Sequence, residues 1–150
     1  FDSNMITTAI KLNVPYILMH SRSKAQSIHL KTSYVNVMKE LIFELISKAI
    51  TFQQLGLNDI ILDPGFGFSK NIDENYKVFQ YLNAICFEKF PLLVGISRKS
   101  MIYKALENSP EEALNGTTVL NTIALQKGAK ILRVHDVKEA VECVKLMQLL

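Results

Sequence analysis

The stretch Ile60-Ile61-Leu62-Asp63-Pro64-Gly65-Phe66-Gly67-Phe68-Ser69-Lys70 decides the fold. Three apolar residues, two of them β-branched, read as a strand covered on both faces. The run stops at an acid, and Pro-Gly forbids any regular continuation. A buried strand that opens onto a polar, glycine-rich loop is one half of a βα unit, whose strand ends face ligands.

The pattern recurs on both sides. Val14–Met19, Leu92–Ile96 and Ile131–Val134 are further apolar runs, followed by His20-Ser21-Arg22-Ser23, by Ser97-Arg98-Lys99-Ser100 and by His135-Asp136. Between them lie segments of helical period. Tyr34 to Gln54 carries Val35, Met38, Leu41, Ile42, Leu45, Ala49 and Ile50 on one stripe, and Gly56 supplies the left-handed stop. Tyr76, Phe79 and Leu82 make a second stripe; Leu120, Ile123, Ala124 and Lys127 make a third, ended by Gly128. Val141, Val144 and Met147 make a fourth, entered through Asp136 and Glu139 as an expected capping box. Met5, Ile6, Ala9 and Ile10 predict an opening helix with no strand before it. The order predicts an α/β fold of consecutive βα units around a parallel sheet. A (β/α)₈ barrel takes about 250 residues. The four units in these 150 residues are therefore expected to be about half of one. The first residue is Phe1 rather than Met, as expected for a segment of a longer chain.

Composition narrows the class. The chain is 49% hydrophobic and 21% charged, with 6 Gly, 4 Pro and no Trp, which excludes disorder, collagen-like repeats and a disulfide scaffold. No apolar run reaches the roughly 18 residues of a membrane span. The opening FDSNMITTAI has neither the basic nor the apolar region of a secretory signal. A net charge of +3, from 17 Lys+Arg against 14 Asp+Glu, is too mild and too scattered to call for nucleic acid. Cys86 and Cys143 lack metal-ligand spacing and sit among apolar neighbours, as expected of free thiols in a reducing cytosol.

The polar clusters all fall after strands, on the face where ligands bind. Asp63 either presents its carboxylate at the mouth of the barrel or caps its own Pro-Gly turn. Phe66 and Phe68 are two apart, so one can face the mouth while the other packs away from it. Arg98 and Lys99 are either solvated loop residues or part of the site. Arg133 and His135 share a face, and that face needs a partner: an anion held between guanidinium and imidazole, or a structural carboxylate. His20 is expected to be a satisfied strand-end histidine, His29 a surface residue, and Asp136 a helix cap. A carboxylate, basic centres, an aromatic and an anion-binding pair suit a polar heterocycle with a phosphorylated group. No nucleophile elbow and no metal-ligand spacing occur.

Four motifs, Tyr16–Arg22 (YILMHSR), Ile61–Lys70 (ILDPGFGFSK), Leu93–Met101 (LVGISRKSM) and Ile131–Val137 (ILRVHDV), resemble those of the dihydropteroate synthase family in order and spacing over nearly the whole chain. Ser21 and Ser23 replace the usual Met or Gln and Gly, and Ser69 stands where Gly is usual. The resemblance implies strands five to eight of a single pterin-binding (β/α)₈ barrel domain over residues 1–150. It implies a transferase of folate biosynthesis that joins p-aminobenzoate to 6-hydroxymethyl-7,8-dihydropterin pyrophosphate, releasing pyrophosphate. It further implies that Asp63 binds the amino-pyrimidine edge of the pterin. Lys99 lies between the two substrates, Ser100 takes the aminobenzoate carboxylate end, and Phe68 packs on its ring. Met19 and Gly95 line the pterin slot. Arg133 covers the pterin and, with His135, holds the departing pyrophosphate, with Arg98 behind the site. The cofactor implied is Mg²⁺, its ligand expected in the N-terminal half and none in these residues. Sulfonamide-type inhibitors, a homodimer and a cytoplasmic location follow from the same resemblance, with neither nucleic acid nor membrane as partner. The other readings are a methyltetrahydrofolate-dependent methyltransferase domain, whose barrel is related, and a non-catalytic half-barrel. The isolated half is expected to be inactive.

Overall fold

The computed structural model describes residues 3–22, 33–86 and 89–150, so Ser23 and His29 lie outside the described residues. In chain order the elements are α1 (Ser3–Leu12), β1 (Tyr16–Met19), α2 (Val37–Gln54), β2 (Ile60–Asp63), α3 (Ile72–Gln80), a 3₁₀ turn (Leu82–Ile85), β3 (Leu93–Val94), α4 (Ser100–Tyr103), α5 (Leu114–Gln126), β4 (Ile131–Leu132) and α6 (Val137–Met147). All strand pairing is parallel. β1 runs beside β2 from Tyr16 opposite Ile60 to Met19 opposite Asp63. Leu62 bridges to Leu92, and Leu93 and Val94 pair with Ile131 and Leu132. The strands thus form an open arc in chain order, with every carboxyl end on one side.

Burial explains the arrangement. Leu18, Ile60, Leu62 and Val94 from the strands, with the bridge residue Leu92, pack with Leu41, Leu45 and Ala49 of α2, Val78 and Phe79 of α3, and Ala124 of α5. Ile6 and Ala9 seat α1 on the same core, as its apolar pattern predicts. Gly56 and Gly128 hold positive φ just past α2 and α5. Among the described residues no helix is long and apolar enough to cross a membrane.

Several features differ from the sequence reading, β1 among them, which begins at Tyr16 rather than Val14. α2 begins at Val37 rather than Tyr34, because Asn36 caps it by accepting from the Lys39 amide at 3.0 Å. β3 and β4 have only two rungs each, shorter than their apolar runs, because the chain beyond Val94 and Leu132 turns into the site loops. The capping box expected at Asp136 and Glu139 does not form: Asp136 stands at the N-cap, but its carboxylate accepts from the Arg98 guanidinium at 2.8 and 2.9 Å. A bidentate ion pair outweighs a single amide contact. The box forms instead at the head of α3, where Asn71 accepts from the Glu74 amide at 2.8 Å and Glu74 from the Asn71 amide at 2.7 Å.

Candidate active site

Asp63 is the last residue of β2 and only 1% exposed. Its two oxygens do different work. Oδ1 accepts from the Gly65 amide at 2.8 Å, which is the turn-capping role, and Oδ2 accepts from Nη2 of Arg133 at 3.0 Å. Burial raises the Asp63 carboxyl above its ordinary value, against the pull of the Gly65 amide and of Arg133, Lys99 and Lys70. The turn-capping reading of Asp63 therefore holds, with the second oxygen taken by Arg133.

Arg133 reaches Asp63 from beyond β4 by passing over Gly95, where a β-carbon would lie 3.0 Å from Nε and from Nη2. Of the two partners open to Arg133, the structure supplies a carboxylate. His135 is held apart from that pair: its amide donates to Oγ of Ser97 at 3.2 Å, and its Nδ1 lies 3.0 Å from the same hydroxyl. Ser97 is buried, and so anchors exposed His135 to the loop after β3.

Lys99 enters from the loop after β3. Its ammonium donates to the Phe66 carbonyl and lies 4.5 Å from the centre of the Phe68 ring, a cation–π contact. Burial pushes the ammonium down to about 8, Asp63 opposing the shift and Arg133 adding to it. Phe66 and Phe68 divide as their spacing allows: Phe66 is buried edge-on against Phe79, with ring centres 5.9 Å apart, and Phe68 stays half-buried under Lys99. Met19 stands beside Gly65, and half-buried Ser100 opens α4 next to Lys99. Asp63, Arg133, Lys99, Phe68 and Gly95 thus come together at the ends of three neighbouring strands. Arg98 does not join them. Its guanidinium ties Asp136 to the carbonyls of Pro110 and Glu111 at 2.9 and 2.7 Å, bracing the loop from behind.

Beneath the cluster lies a second network that the sequence reading missed. Lys70, 6% exposed, donates to the carbonyls of Gly65 and Phe68, both at 3.0 Å, and to Nδ1 of His20 at 3.3 Å. His20 donates from Nε2 to Glu44 at 3.1 Å, and burial together with Lys70 lowers its imidazolium to about 4, so the ring is neutral. It is the satisfied strand-end histidine expected. Glu44 also accepts from Arg22, whose guanidinium bonds Glu40 and lies 4.1 Å from the centre of the Tyr34 ring. On α3, buried Asn75 accepts from the Gly67 amide at 2.8 Å. Its one sequence signal was an amide among the apolar residues of a helix stripe. Ser69 holds φ at +55°, the conformation for which glycine is the ordinary choice. Among the described residues no three His, Cys, Asp or Glu side chains gather as a metal site.

Residues 1–135 match the family described as pterin binding enzyme. The chain is 36% identical over 149 residues to the dihydropteroate synthase of Haemophilus influenzae, covering 98% of this chain and 54% of that one. Among solved structures, a Yersinia pestis dihydropteroate synthase in complex with a sulfonamide drug superposes with a TM-score of 0.91 at 33% identity, over 99% of this chain and 55% of that one. The Thermus thermophilus dihydropteroate synthase in complex with 4-aminobenzoate gives 0.93 at 29% identity, over 99% and 59%. The chain spans about half the length of the curated relatives it matches. The similar structures are (β/α)₈ barrels, so the open arc is about half of such a barrel.

Proposed function

The chain belongs to the pterin binding enzyme family, and from this we propose that it carries strands five to eight of a dihydropteroate synthase, the C-terminal half of one barrel domain. The observation that carries the proposal is the convergence of Asp63, Arg133, Lys99 and Phe68 at adjacent strand ends. A buried carboxylate suits the paired N–H donors of an aminopyrimidine. Phe68 offers the aminobenzoate ring a flat face, and Lys99 sits between the two substrates. The aniline nitrogen attacks the methylene carbon of 6-hydroxymethyl-7,8-dihydropterin pyrophosphate. A C–N bond forms, the C–O bond breaks, and its electron pair leaves with pyrophosphate; the anilinium proton passes to solvent. Negative charge grows on the leaving group, where Arg133 and His135 lower the barrier. Among the described residues no cluster of His, Cys, Asp or Glu would hold Mg²⁺, whose ligand this reading puts in the N-terminal half. A cytoplasmic location and a homodimer belong to the same proposal. So does inhibition by sulfonamides, which the drug complex of the Yersinia pestis enzyme supports.

The test is pyrophosphate release by the whole protein supplied with both substrates. Arg133→Ala is expected to lower kcat/KM by about 10²–10³. An unchanged kcat/KM in that variant overturns the site. Methyl transfer from methyltetrahydrofolate in place of pyrophosphate release overturns the reaction.

A further inference from the structure

We propose that Lys70 is a positioning residue of this site, holding the loop from Gly65 to Ser69 in the shape that presents Phe68 to the aminobenzoate ring. The assignment of that ring to Phe68 rests on the function proposed above.

An ammonium has three protons. Those of Lys70 go to the Gly65 carbonyl, the Phe68 carbonyl and Nδ1 of His20. The first two acceptors are the ends of the tight turn that Phe68 closes by donating its amide to the Gly65 carbonyl at 3.1 Å. The third leads out of the loop: His20 bonds Glu44, which fixes the ammonium to the end of β1 and to α2. One side chain therefore fastens the loop after β2 to two other elements. Burying a charge is costly unless its bonds are made, and here all three are. The cost shows in the ammonium itself, which burial pushes down to about 8.

Asp63 feels the charge of Lys70, but none of its own bonds runs through that ammonium. Its backbone is paired to Met19 within the sheet, and its carboxylate has the Gly65 amide and Arg133. Lys70 thus bonds the aromatic end of the site and reaches the carboxylate end only through its charge, which separates positioning from general stability.

Lys70→Met keeps most of the length of the side chain and removes its donors. In the whole protein the variant is expected to raise KM for p-aminobenzoate about fivefold or more while KM for the dihydropterin pyrophosphate stays within about twofold. Amide hydrogen exchange from Phe66 to Ser69 is expected to quicken about tenfold with β1 and β2 unaltered. A merely structural role would quicken exchange throughout and leave both KM values where they were. Equal shifts in the two KM values, or loop exchange like that of the unaltered protein, overturn the proposal. A whole protein that turns over neither substrate overturns the proposed function instead. The exchange comparison then still decides whether Lys70 holds the loop.

Discussion

A β-carbon built on Gly65 runs into the carbonyl of His20, and the residue holds φ at +68°. Neither conflict has a soft side, since both involve backbone. Gly95 is also crowded, but its neighbour is the guanidinium of Arg133, the far end of a flexible side chain. The two alanine substitutions should therefore fail differently. Gly65→Ala is expected to cost about 2–4 kcal/mol, seen as a fall of roughly 5–15 °C in Tm. Gly95→Ala is expected to keep Tm within about 2 °C and to lower kcat/KM about tenfold, because Arg133 is pushed off Asp63. Thermal unfolding and steady-state kinetics on the two variants check both. Full activity in Gly95→Ala would show that the Arg133–Asp63 contact plays no part in turnover.

Helix heads show how far an element can be read from its own residues. Asp136 with Glu139 has the spacing of a capping box, and so has Asn71 with Glu74, yet only the second closes. What separates them is Arg98, remote in sequence, which claims the Asp136 carboxylate. Since the box on α3 is made entirely of local bonds, Asn71→Ala is expected to cost about 1 kcal/mol and to lower Tm by roughly 2–4 °C, measured by thermal unfolding. An unchanged Tm would mean that Asn75 and Lys70 hold that corner without the cap. The same division runs through the fold and the site. The four strands were legible because each is a largely apolar run, and Asp63, Lys99 and Arg133 stood out as candidates because each lies at or just past the end of such a run. Lys70, His20 and Glu44 were not legible as a network. Their meeting depends on β1, α2 and the loop after β2 packing together, and a lysine's burial leaves no mark on its neighbours in sequence.

Across the whole molecule the sheet has two outer edges. Among the described residues, β1 pairs only with β2 and β4 only with β3, so each offers a row of unpaired backbone groups. Beside β4 a groove of about 620 Å³ runs along α6, lined by apolar Leu132, Val134, Val137 and Val141 and flanked by Arg133 and Lys145. Val137 is 63% exposed and Val141 44%, although both are β-branched and apolar. In a closed barrel such an edge receives the next strand and such a groove the next helix; parallel strands covered by helices have no stable exposed form. The 150-residue chain taken alone is therefore expected to bind a hydrophobic dye and to elute as self-associated species, because edges and groove cover one another between copies. It is also expected to show no synthase turnover, since in the proposed function Asp63, Lys99 and Arg133 supply only one side of a pocket that must exclude water. Size-exclusion chromatography, dye fluorescence and pyrophosphate release on that chain test the three expectations together. A monodisperse monomer that releases pyrophosphate at the rate of an intact relative would mean that the open arc is a sufficient catalyst, and that the edges need no cover.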